Sequence, residues 1–77
     1  MYSQDFGIGF EFISDGAAHT GRFCKIYFKE DSVINTITIE NATGNSLDGE
    51  TFVADTSLMG VVTSITLTSG ACLAYKI

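Results

Sequence analysis

His19 is the single histidine of the chain and the first candidate for proton-transfer chemistry. To activate a nucleophile it would need a thiol or hydroxyl beside it. Cys24 follows five residues later, but the pattern around it turns its side chain toward an apolar face. His19 itself follows Ala17 and Ala18 in a segment that reads as a solvated loop. Acidic residues gather loosely at Glu30 and Asp31, and again at Asp48, Glu50 and Asp55. Calcium requires about six or more converging oxygens, and Asp48-Gly49-Glu50 lacks the spacing of an EF-hand loop. Paired hydrolytic carboxylates need a deep cleft, which a β domain of 77 residues does not offer. Gly7-Ile8-Gly9 has no strand before it and no helix after it, so it does not read as a phosphate loop. Asn41-Ala42-Thr43 has the form of a glycosylation acceptor, which matters only in a secreted eukaryotic chain. The expectation is a protein that is not an enzyme and carries no catalytic, metal or cofactor site.

The two cysteines, Cys24 and Cys72, are too few for a secreted disulfide scaffold. Each sits in an apolar run, which suits a buried, reduced thiol, although a bridge between them stays open at this point. Nine acidic residues against four basic ones give a net charge of −5. Arg22, Lys25, Lys29 and Lys76 cannot form a phosphate-tracking stripe, so neither nucleic acid nor an anionic membrane is an expected partner. No apolar run is long enough to span a bilayer, and Met1-Tyr2-Ser3-Gln4-Asp5-Phe6 lacks the basic start of a signal peptide. Synthesis in a cytoplasm is therefore expected, with the chain either kept there or assembled there into something larger.

Holding these residues in place falls to strands. Thr, Ile, Val, Phe and Tyr dominate the runs between glycines, and no window has the apolar spacing of a helix. In residues 22–29, Cys24, Ile26 and Phe28 alternate onto one face, with Lys25, Tyr27 and Lys29 on the other beside Phe23. In residues 33–39, Val33, Ile37 and Ile39 point one way and Ile34, Thr36 and Thr38 the other. Glu30-Asp31-Ser32 between these runs reads as the turn of a hairpin. Residues 41–49 are irregular, with Thr43-Gly44-Asn45 and Asp48-Gly49 supplying turn chemistry. Thr51-Phe52-Val53 is a short strand candidate. Met59, Val61, Ile65 and Leu67 share a face, and Thr68-Ser69-Gly70 turns the chain into a last strand at 71–76, again as a hairpin.

The fold class expected is all-β, a small antiparallel β-sandwich or barrel over residues 21–77, with an N-terminal arm over residues 1–20. Its core is expected to hold Cys24, Ile26, Phe28, Ile37, Ile39, Val61, Ile65 and Leu67. The arm is broken by Gly7, Gly9 and Gly16 and carries Phe6, Phe10 and Phe12. These three are the candidate partner-binding anchors, because so small a domain cannot cover them all. The competing possibility is that Phe10 and Phe12 belong to an extra strand of the same domain. The chain is 45% hydrophobic and only 17% charged, a low charge for so exposed a molecule, so part of its apolar surface suits another protein. A domain this size gains barely enough from burial to offset its ordering entropy, which favours a homo-oligomer.

Three ordered segments carry a resemblance: Asn41-x-Thr43-Gly44-Asn45-x-Leu47; Gly60-x-x-Thr63-Ser64-Ile65-Thr66-Leu67-Thr68-Ser69-Gly70-Ala71; and Ala74-Tyr75-Lys76 at the end. Gly21-Arg22-Phe23, with a charged turn and an Ile/Thr-rich run after it, adds to them. The series resembles small structural proteins of tailed bacteriophages: head decoration or cement proteins, head fibres and spike-base domains. It covers residues 21–77, about three-quarters of the chain. The chain departs from it at Asp55, where the similar proteins often carry glycine, and at Cys72, which replaces an aliphatic residue. The resemblance implies a virion structural protein on the capsid surface, made in the bacterial host cytoplasm. Foremost is a trimeric decoration protein that binds the major capsid protein or another virion protein and stabilises the head. A fibre or tail-spike base is the alternative.

Overall fold

β-branched and aromatic residues between turn-forming glycines produce six strands in the computed structural model, which describes residues 9–77. They are β1 (Phe10–Ile13), β2 (His19–Phe28), β3 (Ser32–Ile39), β4 (Thr51–Phe52), β5 (Thr56–Ser69) and β6 (Cys72–Lys76). The described residues contain no helix, and the all-β expectation holds. All six strands join one antiparallel sheet in the order β1-β6-β2-β5-β3-β4.

That order overturns both expected hairpins. β5 lies between β2 and β3, and β2 lies between β5 and β6. Each short connection therefore carries the chain past a neighbouring strand instead of folding it back beside itself. Phe28 and Val33, five residues apart, pair with the opposite ends of β5, at Thr56 and Ser69. Five residues reach about 17 Å, whereas a straight 14-residue strand is over 40 Å long, at ~3.3 Å per residue. β5 must coil, and the sheet closes over its inner face. The stacked rings of Phe28 and Phe52, 4.7 Å apart from strands at separate places in the order, mark that closure.

The two connections interlock where they meet. Ser32 is fully buried; its Oγ donates to the Glu30 carbonyl at 2.8 Å and accepts the Ala71 amide at 3.2 Å. The Lys29 amide donates to the Ala71 carbonyl at 3.3 Å. Both capacities of a buried hydroxyl are thereby used, which removes the penalty of leaving it dry and unpaired.

Inside the sheet lie Ile13, Phe23, Ile26, Phe28, Ile34, Val62, Ile65, Leu67, Cys72 and Ala74, with Ile37, Ile39, Phe52 and Leu58 packed against them. Ile26, Phe28, Ile65 and Leu67 are where the alternation puts them. Cys24, Ile37, Ile39 and Val61 are only half-buried, and Phe23, Ile34 and Val62 take the deep positions instead. β-Bulges account for the exchange, because one extra residue in a strand reverses the facing of everything beyond it. Between Phe23↔Lys76 and Lys25↔Tyr75, β2 advances two residues while β6 advances one, so Cys24 is the extra residue and Phe23 turns inward. Asn35 plays the same part between Ile34↔Leu67 and Thr36↔Thr66, so Ser32 and Ile34 face in before it and Ile37 and Ile39 after it. In β5 the shift between Thr38↔Ser64 and Ile39↔Val62 brings Val62 inward in place of Val61.

The domain boundary expected at residue 21 also moves. β1 pairs with β6 from Phe10↔Tyr75 to Ile13↔Cys72, and Ile13 is fully buried in the core. Residues 10–20 belong to the sheet and its connections, because an edge strand with one core side chain completes the inner face. Phe6 and the first part of the expected arm lie outside the described residues. Asp55 adopts a left-handed backbone, φ 67°, a conformation that costs a residue with a Cβ.

Candidate functional site

Strand alternation that sends Ile13, Ala74 and Ile26 inward sends their neighbours outward, and registry lines these up across four strands. Phe10 stands opposite Tyr75, Tyr75 opposite Lys25, and Lys25 opposite Met59, forming one row. Phe12, Leu73, Tyr27 and Ser57 form the next. The outer face of β1, β6, β2 and the start of β5 is therefore aromatic and apolar. Phe10 is 54% exposed, Phe12 51% and Met59 69%, against full burial for Ile13, Ala74 and Ile26. Scattered exposed apolar residues need no explanation, but a contiguous set on one sheet face does.

Cations sit within this surface. The Phe10 and Tyr75 rings meet tilted at 5.9 Å, with the Lys25 ammonium 5.6 Å from the Tyr75 centroid. The Lys29 ammonium lies 5.6 Å from the centroid of Phe12. Both lysines are thus held over ring faces by the aromatic quadrupole. The Tyr27 hydroxyl donates to the Asp55 carboxylate, and that bond, with some burial, raises the phenol above its ordinary range. A shallow cavity of about 260 Å³ continues the face past Met59, between Cys24, Val61, Tyr75 and Ile77.

Of the sequence-derived anchors, Phe10 and Phe12 both lie on this face, from one edge strand, and Phe6 is outside the described residues. Sequence alternation had grouped Lys25, Tyr27 and Lys29 together; Tyr75 and Leu73 were missed, and Met59 had been placed on one face with the core residues Ile65 and Leu67, whereas it is exposed. The alternation within 73–75 carried the signal for Leu73 and Tyr75, which only registry joins to β1.

His19 is not a solvated loop residue. It opens β2, its side chain is 17% exposed, and both ring nitrogens meet carboxylates: Nδ1 the Oε2 of Glu11, and Nε2 the Oδ1 of Asp15 at 2.8 Å. These bonds, Asp15 first and Glu11 second, raise the His19 pKa above its ordinary value, and the His19 bond lowers that of Asp15. A ring held as imidazolium between two acceptors has no free nitrogen with which to take a proton from a nucleophile.

The thiols are separated by registry. Cys72 pairs opposite Phe28, four residues along β2 from Cys24, about 13 Å away, whereas a disulfide needs Cα atoms within about 7 Å. Both cysteines are free. Burial pushes the Cys72 thiol up to about 11. Cys24 is expected to react with a thiol reagent in the native protein and Cys72 only on unfolding. A native count of two fast thiols by absorbance would contradict this. The acidic residues serve turns: Asp31 accepts the Ala54 amide at 2.9 Å, Asp48 the Ile37 amide at 3.2 Å, and Glu40 pairs with Arg22 at 2.7 Å. Among the described residues, no group of three or more His, Cys, Asp and Glu is placed to hold a metal ion.

Comparison with protein-family models, with curated proteins and with solved structures finds no match for this chain.

Proposed function

We propose that this chain is an assembly protein that seats the aromatic outer face of β1, β6, β2 and β5 on another protein. In the reading favoured by the phage-like sequence series, it is a tailed-bacteriophage decoration protein that binds the major capsid protein on the head surface. The observation that carries it is the contiguous set Phe10, Phe12 and Met59, all exposed, with the half-buried Tyr75 beside them on one sheet face. Two of the four basic residues of a chain with net charge −5, Lys25 and Lys29, stand in that set. An apolar partner surface bearing carboxylates fits this face, since aromatic anchors supply affinity and lysines supply steering. The same reading has the protein working as a homotrimer, the form that suits local three-fold positions of a capsid.

Mixing the protein with undecorated heads tests the proposal. Binding is expected at hundreds of copies per head and is expected to weaken as salt rises. Phe10 and Phe12 each retain about half their surface to bury, about 1 kcal/mol apiece, so the Phe10→Ala, Phe12→Ala variant should bind roughly 30-fold more weakly. Ile13, the core residue of β1, is untouched in that variant, and its circular dichroism should be unchanged. Equal binding by the variant would overturn the assignment of the face. Binding only at a vertex or tail, in tens of copies or fewer, would move the protein to a fibre or spike base.

A further inference from the structure

β1 and β2 run parallel with β6 between them, and the connection at 14–18 joins β1 to the start of β2. His19 ties that connection down at two points. Glu11 reaches it from β1, and Asp15 reaches it from the connection itself. The Asp15 Oδ1 is doubly used, accepting the Ala17 amide at 3.1 Å as well as the His19 Nε2. Two acceptors on one imidazole require two N–H donors, which only the cationic ring possesses. A neutral ring has one, and its other nitrogen would present a lone pair to a carboxylate at hydrogen-bond distance. One carboxylate must then leave. Asp15, at 62% exposure, has water available, whereas Glu11, at 33%, has less.

We propose that His19, held between Glu11 and Asp15, is a proton-operated latch that fastens the 14–18 connection and β1 to the start of β2. Among the described residues, no other group on the neighbouring elements duplicates it. β5, which pairs with β2 at His19↔Ile65, has no ionisable side chain from Thr56 to Ser69. From β6, Lys76 lines a cleft with Glu11 and Arg22, and Arg22 is engaged by Glu40 from the end of β3. The two carboxylates favour protonation of His19, and its burial opposes it.

The direction with pH follows from linkage. The folded-state pKa of His19 is raised, so the latch is fully closed below the ordinary histidine value of about 6.5 and is lost as pH climbs through the raised value. At the acid end, the Asp15 pKa is lowered, so its contribution persists below the ordinary carboxylate range and disappears as pH falls through that lowered value. β1 is an edge strand that carries Phe10 and Phe12, so opening the latch loosens the strand that presents both side chains.

Amide hydrogen exchange with NMR titration of the His19 ring tests the latch without any partner, and so independently of the proposed function. Between about pH 5 and pH 9, protection of residues 11–18 relative to intrinsic rates should fall about fivefold, with the midpoint of the His19 titration. Protection in β5 should not change. In His19→Gln the transition should vanish. Asp15→Asn, which keeps the ring but removes one acceptor charge, should move both the ring titration and the exchange transition to lower pH. Flat protection in the wild type, or the same transition in His19→Gln, would overturn the latch. If His19→Gln does not fold, an unshifted transition in Asp15→Asn overturns it equally.

Discussion

Gly70→Ala is expected to remove much of the stability of this domain. The residue adopts φ +92°, and an added Cβ would lie 2.6 Å from the Asp31 carbonyl oxygen and from the Ser32 Cα, and closer still to Ser32 Oγ. Two of these atoms are backbone, so no side-chain rotation relieves the overlap. The left-handed conformation costs a non-glycine residue about 1–2 kcal/mol, and forcing atoms into a packed site typically about 1–3 more. A sum of about 2–5 kcal/mol compares with the ~4–12 kcal/mol total usual for a chain of this length. Gly44→Ala separates the two causes, since Gly44 has φ +97° and nothing within 4 Å of an added Cβ. It should show the conformational cost alone. Urea unfolding followed by circular dichroism measures both. Equal losses for the two variants would mean that the β2–β3 and β5–β6 connections do not interlock at Gly70.

Phe23→Ala is expected to cost about 3–5 kcal/mol, as for a fully buried aromatic side chain, whereas Cys24→Ala should cost less than about 1 kcal/mol. Simple alternation from Phe28 through Ile26 predicts the reverse. The difference depends on the extra residue in β2 at Cys24, so the pair measures the bulge directly. Denaturant midpoints in which Cys24→Ala is the more damaging change would place the bulge elsewhere in the strand. Ile65→Ala, at a site where alternation and structure agree, should cost about 2–5 kcal/mol and serves as the reference.

These comparisons show how far the sequence reads through to the candidate site. Phe10 and Phe12 were legible as aromatics without enough domain to cover them, and both are half-exposed on one face. Phe10 to Ile13 was legible as a possible short strand, but treating residues 1–20 as an arm left Ile13 out of the expected core, because a four-residue strand carries too little pattern to show which side it buries. His19 was unreadable as an ion-paired residue. Glu11 and Asp15 precede it by eight and four residues, and in β structure such spacings predict no contact.

The sequence by itself determined that this chain is all β and, from residue 22 onward, broadly where its strands lie. Alternation and turn chemistry are local properties, legible within a few residues. Tertiary structure alone decided which strands pair and which phase each adopts. Backbone N–H and C=O groups are the same at every residue, so Glu30-Asp31-Ser32 and Ser69-Gly70-Ala71 suit a hairpin and a crossover equally well. The choice between them came from burial. Coiling β5 let one sheet cover its own inner face, and bulges at Cys24, Asn35 and in β5 rephased the strands so that Phe23, Ile34 and Val62 filled the space that coiling enclosed.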